Sequence, residues 1–276
     1  MAPPTVILRG LFAAQDLCIP SAKAISISLC NFFPAHDSNP PDQSHRIYDW
    51  GEHMSFPARL LTILVGSLLA TAACSAKANP AAPIPAPAVD APRASASGHQ
   101  TAVFAGGCFW GVQAVFQHVK GVASATSGYS GGSVRNPGYE RVSSGETGHA
   151  ESVEVVYDPS QITYGELLRI FFSVAHDPTE LNRQGPDEGT QYRSVIFFAS
   201  EEQKKIADAY IAQLDQAKVF PHRIVTQVVP LQAFYPAEKY HQNYATLHPD
   251  NPYIMYNDAP KVEHLKQQFP DVYTGK

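Results

Sequence analysis

The chain has 276 residues, 44% of them hydrophobic and 16% charged, with a formal net charge of −5. That suits one medium-sized domain plus extra segments, and the acidic balance argues against a nucleic-acid surface. The four cysteines, Cys18, Cys30, Cys74 and Cys108, form no C-x-x-C pair, which removes a zinc knuckle and a thioredoxin-type redox motif.

Residues 1–53 show no sustained hydrophobic period and carry proline and polar clusters. The pattern changes at Met54: a short stretch ending in Arg59 precedes an almost wholly apolar run over residues 60–73. A positive n-region followed by an h-region too short to span a bilayer predicts a signal peptide over residues 54–78. Met54 is then the expected natural start, and residues 1–53 a non-native, disordered upstream extension. Two endings compete. Ala72-Ala73-Cys74 resembles a bacterial lipobox, with Cys74 becoming the lipidated first residue, although Thr71 stands where leucine is usual. Ala76-Lys77-Ala78 fits the small-x-small cleavage rule and leaves a soluble chain from Asn79. Residues 79–98 are rich in Pro, Ala and Ser and read as a semi-rigid linker. Either ending sends a domain at residues 99–276 to the bacterial periplasm, soluble or membrane-anchored.

Within that domain, residues 101–105 read as a strand leading into Gly106-Gly107-Cys108-Phe109-Trp110-Gly111. A helix follows, with Val112, Val115, Phe116 and Val119 on one face and a stop at Gly121. Residues 122–129 read as a second strand, and residues 130–148, rich in Gly, Ser and Asn, as a long loop of the functional kind. A third strand is expected over residues 152–157. Thr163 to Glu166 form a capping box opening a helix that contains Leu167, Leu168, Phe171 and Phe172. Residues 176–191 read as another irregular loop and residues 192–199 as strand four. Ser200 with Gln203 caps a helix to about Lys218, with Ile206, Tyr210 and Leu214 facing inward. A fifth strand is expected over residues 224–229, then short helices near 237–247 and 261–269. The order βαββαβ, with an added αβ unit, predicts an α+β fold. We expect a two-layer, ferredoxin-like (split βαβ) domain with one mixed sheet, long loops and a helical C-terminal extension.

Cys108 should therefore sit at a strand-to-helix turn. Free N–H groups and the helix dipole there favour a thiolate, so its pKa is expected to fall, and the thiolate is the nucleophile. The two aromatics after it suit the wall of a small apolar pocket. Glu151, in Gly148-His149-Ala150-Glu151-Ser152, opens a strand beside a glycine-rich loop. It is open to two readings, a partly buried acid with raised pKa or an exposed strand-end carboxylate. Tyr129 and Tyr192 sit at strand–loop junctions, where a tyrosine commonly packs. Asp187 by itself reads as a turn residue.

The run Gly-Gly-Cys-Phe-Trp-Gly resembles the active-site signature of the A-type peptide methionine sulfoxide reductases. Five motifs in that family's order, over about residues 100–257, carry the resemblance. It implies that Cys108 is the nucleophile and passes through a sulfenic acid, and that Glu151 is the proton donor. It further implies that Tyr129 and Tyr192 bind the substrate oxygen, that Phe109 and Trp110 grip the methyl group, and that Asp187 orders the site. The block from Tyr235 to Tyr244 also resembles a family motif and reads as scaffold lining the cleft. The substrate implied is methionine S-sulfoxide, free or in proteins, and the cell function is repair of oxidised proteins.

No cofactor, nucleotide or metal is implied. In one respect the chain departs from the pattern: no cysteine follows Cys108, whereas many family members carry resolving cysteines in a C-terminal tail. Regeneration by an external thiol, such as a thioredoxin-like protein, is expected, acting on a monomer. The alternatives from residue chemistry alone are a cysteine-based peroxidase, a cysteine hydrolase pairing Cys108 with His149, and a non-catalytic envelope lipoprotein in which Cys108 is merely a small buried hydrophobe.

Overall fold

The computed structural model describes residues 84–275. The expected extension, the signal peptide with Cys74, and the first part of the linker lie outside the described residues. Strand β1 is Gln100–Gly106, helix α1 Phe109–Gln117, β2 Val122–Ser130, α2 Tyr139–Ser143 and β3 Ala150–Tyr157. Then come α3 Tyr164–Ile170, a two-strand hairpin of β4 Arg183–Gln184 and β5 Asp187–Glu188, β6 Ser194–Phe198 and α4 Glu201–Gln216. The chain ends with β7 Gln227–Pro230, β8 Phe234–Pro236, α5 Tyr244–Leu247 and α6 Ala259–Gln268.

Six strands form one sheet in the order β7-β6-β1-β3-β2-β8. Its centre, β6-β1-β3-β2, is antiparallel throughout, as a split βαβ arrangement requires, while β7 joins β6 in parallel after the α4 crossover. The sheet is thus mixed, and the α+β expectation holds.

Alternation along β1 builds both layers. Ala102 and Phe104 enter the main core; Val103 and Ala105 face a smaller cluster with Val195 and Phe197. Phe104 stacks on Phe116 of α1 at 5.4 Å and on Phe171 at 5.0 Å, so α1 and α3 share one face of the sheet. The capping box at α3 is complete: Thr163 accepts from Glu166 N, and Glu166 accepts from Thr163 N. Beyond Ile170 the helix loosens into a π-helical turn, Phe171–Ala175, which places both phenylalanines inward.

Several expectations need correction. The long loop after β2 contains α2, and the loop before β6 contains the β4–β5 hairpin. Strand four starts at Ser194, because Thr190–Tyr192 forms a 3-10 turn that includes Tyr192. The fifth strand starts at Gln227: Ile224 N and Val225 N bond to Asp215 and Pro178 instead of a neighbouring strand. The helix expected near 237–247 is divided by Asn243 at φ 60°, giving a 3-10 turn Lys239–His241 and then α5. Short β8 adds an edge to β2, with Tyr235 opposite Tyr129.

Residues 84–98, expected as tether, lie against the domain as a strap. Tyr210 donates to Pro85 O at 2.6 Å and Arg169 to Ile84 O at 2.7 Å. Asp90 accepts from Gly165 N at 2.8 Å and from the Thr163 hydroxyl, while Arg93 pairs with Glu166. A Cβ on Gly165 would lie 2.5 Å from the Asp90 carboxyl carbon, so this helix position admits the strap only as glycine. Among the described residues no helix is long and apolar enough to cross a membrane.

Candidate active site

β1 runs straight into the site. Gly107 adopts φ +85°, and a Cβ there would lie 2.5 Å from Gln184 of the hairpin. The turn can pass beneath Gln184 only as glycine. It delivers Cys108 to the N-cap of α1, as the sequence predicts. Cys108 is buried and free.

Glu151 reaches the same point from β3, opposite Tyr129 in the β2–β3 register. Its Oε2 accepts the N–H of Phe109, the residue after Cys108, at 3.0 Å. That N–H is one of the first-turn donors a helix cannot satisfy itself. Glu151 is 2% exposed. Burial pushes its carboxyl up; the Phe109 N–H pulls it back, and Asp187 and Asp258 add to the rise, leaving it at about 8. Of the two readings open in the sequence, the buried acid is the one the structure adopts.

Cys108 departs from expectation. Burial pushes its thiol well above the usual value, and the carboxyls of Glu151 and Asp258 push further; the Trp110 N–H and Lys261 oppose without prevailing. The magnitudes explain the outcome. A helix terminus contributes roughly 0.3–1 kcal/mol toward an anion, whereas full burial moves a titration by up to 3–5 units. The resting sulfur is therefore a thiol.

Of the two expected tyrosines, Tyr192 stands at the site. Burial holds its hydroxyl up, and Glu151, Asp187, Tyr139 and Cys108 all act on it. Tyr129 is placed otherwise. It is fully buried, and although it feels Glu151, it donates its one hydroxyl hydrogen to Glu238 Oε2 at 2.8 Å. A phenol has a single hydrogen to give, so Tyr129 is not a free donor for a substrate oxygen. Tyr139, which the sequence reading missed, is half-buried on α2 and feels Glu151 and Cys108. No local signal marks it: Pro137-Gly138 reads as a turn, and the helix is capped by Glu238, 99 residues away.

Phe109 and Trp110 form an aromatic wall. Phe109 lies 5.8 Å from the Tyr129 ring and 5.1 Å from His241, while Trp110 stacks on Tyr244 at 3.9 Å and meets the Tyr253 edge at 6.0 Å. The indole N–H donates to His241 Nδ1 at 3.2 Å. Asp187, half-buried on β5, accepts the Tyr253 hydroxyl. Burial raises its carboxyl; Tyr253 and Lys261 oppose the rise.

Two more residues escaped the sequence reading. Asp258, fully buried, pairs with Lys261 at 3.2 Å, and a Cβ on Gly111 would lie 2.1 Å from its Oδ1. Nothing in the sequence ties residue 258 to the first turn of α1.

His149 is committed elsewhere. Its Nδ1 accepts from Gly132 N at 3.1 Å and its Nε2 meets Val134 O at 2.7 Å. Both ring nitrogens tie down the loop after β2, so no Cys–His hydrolase pair forms. Among the described residues, no group of three or more His, Cys, Asp or Glu side chains is placed to hold a metal ion.

A family model described as "Peptide methionine sulfoxide reductase" matches residues 100–273. The chain is 62% identical to a "Peptide methionine sulfoxide reductase MsrA 2" of Mesorhizobium japonicum, over 66% of this chain and 93% of that protein. It is 53% identical to a protein of the same description from Synechocystis, over 68% and 89% of the two chains. Among solved structures it resembles reduced Mxr1 of Saccharomyces cerevisiae, with TM-score 0.50 and 34% identity over 55% of this chain and 87% of that one. A buried cysteine at a helix N-cap, a protonated glutamate on the adjoining amide and an aromatic wall thus coincide with matches across the domain. The chain belongs to the A-type peptide methionine sulfoxide reductases, oxidoreductases that return methionine sulfoxide to methionine.

Proposed function

We propose that Cys108 reduces methionine S-sulfoxide with Glu151 as the acid, and that Tyr139 and Tyr192 hold the sulfoxide oxygen. The observation that carries this reading is the 3.0 Å bond from Phe109 N to Glu151, which fixes a protonated carboxyl one residue from the sulfur. The substrate methyl group lies against Phe109 and Trp110. Cys108 forms a bond to the sulfoxide sulfur while Glu151 gives its proton to the oxygen, and the carboxylate so formed takes up the thiol proton. The methionine S–O bond then breaks as the hydroxyl passes to the Cys108 sulfur, and the sulfur–sulfur bond breaks with its electron pair returning to the thioether. One thiol and one sulfoxide become one sulfenic acid and one thioether. The cysteine sulfur is oxidised by two electrons and the methionine sulfur reduced by two. A resting thiol is compatible with this route, because the nucleophile ionises only as its proton finds Glu151. Asp187 orders the site through Tyr253.

Regeneration is assigned to an external thiol: among the described residues Cys108 has no second cysteine with which to form a disulfide. The first thiol condenses with the sulfenic acid, releasing water and forming a mixed disulfide. A second thiol displaces Cys108 and leaves as the oxidised half of a disulfide. A thioredoxin-like protein or a small thiol meets this need. The signal-like residues 54–78 support export to a bacterial periplasm, with the protein either anchored through a lipid on Cys74 or soluble. Mass determination of the mature N-terminus decides between the two endings.

The reaction is tested by supplying each epimer of methionine sulfoxide with dithiothreitol. Turnover of the S epimer alone, abolished by Cys108→Ser, is expected; turnover of the R epimer, or activity surviving Cys108→Ser, overturns the assignment. Hydrogen peroxide should be a poor substrate, which separates this reading from a peroxidase. An intramolecular disulfide seen by mass spectrometry after one turnover without reductant would refute the external-thiol step.

A further inference from the structure

We propose that Glu238 is a positioning residue for the reduction: its carboxylate caps the short helix that carries Tyr139, and Tyr129 holds that carboxylate in place. The inference rests on the reading of Tyr139 as a donor to the sulfoxide oxygen.

Helix α2 has five residues and cannot hold its own conformation. Its N-cap is Gly138, which offers no side-chain acceptor, so the first N–H of the helix needs a partner from elsewhere. Glu238 provides it: Tyr139 N donates to Oε1 at 2.9 Å. The other oxygen accepts the Tyr129 hydroxyl at 2.8 Å. Tyr129 is fully buried on β2, which pairs with β3 on one side and β8 on the other, so the carboxylate is tied to a strand held on both sides. The backbone around it is fixed as well. Ala237 N donates to Ser127 O at 2.9 Å, and Gln242 Nε2 bonds both Ser127 O and Ala237 O.

The same segment also holds the Tyr139 ring, which packs 4.4 Å from His241. Partial burial pushes the Glu238 carboxyl up. Its own N–H, Tyr139 N–H and the Tyr129 hydroxyl outweigh that and keep it below the usual carboxylate range. It is therefore charged at neutral pH and a stronger acceptor for the helix end than a neutral group. Beside α2 lies an open groove of about 330 Å³, lined by Gly138, Tyr139, Glu140, Arg141, Glu238 and Tyr240. The helix has room to shift once the cap is lost. This arrangement gives buried Tyr129 a function at the site without contact with substrate. It is the structural member through which the sheet sets the position of Tyr139.

The test is a double-mutant cycle on the full chain, read as kcat and KM for methionine S-sulfoxide with dithiothreitol. Glu238→Ala should lower kcat/KM by about tenfold or more in the wild type, and by less than about twofold in a Tyr139→Phe background, where no hydroxyl remains to be positioned. Glu238→Gln, which keeps an oxygen for the Tyr139 N–H and can donate its amide to the Tyr129 oxygen, should restore most of the rate. Losses that multiply in the double variant overturn the proposal, and so does a Glu238→Ala enzyme of wild-type kcat/KM. Should Glu238→Ala fail to fold, Glu238→Asp, whose shorter side chain cannot span both partners, takes its place in the same cycle with the same two overturning outcomes. Wild-type activity in Tyr139→Phe alone would instead remove the reading beneath the proposal, so the two failures are told apart.

Discussion

Strand β3 carries two carboxylates near its ends, Glu151 and, just past the last residue, Asp158, and they are treated in opposite ways. Asp158 accepts from the Ser97 hydroxyl, from Gln161 and from both the hydroxyl and the N–H of Ser160, with Gly98 N at 3.3 Å. Those donors, the Ser97, Gln161 and Ser160 side chains foremost, outweigh desolvation and hold its carboxyl far below the usual range. Glu151 has the Phe109 N–H as its one hydrogen-bond donor among the described residues, and burial wins. One strand thus builds a permanent anion for structure and a neutral acid for chemistry. Burial dominates at Glu151 and the donors dominate at Asp158, and that balance sets the difference.

Substitution separates the two. Glu151→Gln should lower kcat/KM by roughly 10²–10⁴-fold while the fold survives, the loss expected for a general acid. A loss below tenfold would pass the proton-donor role to a tyrosine. Asp158→Asn should leave kcat/KM near wild type. Tyr139→Phe comes next, at about 10²-fold for one lost donor to developing charge, against less than about tenfold for Tyr129→Phe. Equal losses would restore Tyr129 to the oxygen site.

The pH dependence sharpens the contrast. Glu151 titrates at about 8, so activity should fall as pH rises through that value, and this alkaline limb should vanish in Glu151→Gln. For stability the signs are opposed. Between the unfolded carboxylate value, roughly 4.3, and 8, the native state holds a proton on Glu151 that the unfolded chain has released, so stability falls across that window. Glu151→Gln should therefore melt higher than wild type, with the gap widening toward pH 8. Asp158 is lowered, so its contribution is present above its unfolded value and lost as pH falls through the native one. Asp158→Asn should melt lower at pH 7, the gap closing in acid. The smallest effect concerns Cys108, whose raised thiol should alkylate no faster than free cysteine at pH 7 in the absence of substrate. Faster alkylation would restore the resting thiolate that the helix end alone suggests.

What the sequence made legible follows from how local each signal is. The strand–turn–helix at Cys108, the α3 capping box and the Ser200 cap rest on neighbours in the chain and were found. So was Glu151, which the family resemblance picked out. Elements and partners that depend on distant chain were not. Tyr139 needs Glu238, 99 residues away, to hold its helix. Asp258 and Lys261 meet α1 through a contact that no local pattern announces. The direction of the Cys108 shift is not legible in the sequence, because the dipole is visible in the order of elements, whereas the depth of burial is not.

Gly165 marks where the folded unit extends beyond the residues that the family model matches. The family match starts at residue 100, yet this glycine is shaped to receive Asp90, which lies outside it. A fragment trimmed to the matched region would leave the Gly165 amide and the Tyr210 hydroxyl without their acceptors on the strap. The shortest piece that keeps those bonds begins at Pro85. Recombinant versions cut at the conventional boundary should prove softer than their catalytic inventory suggests.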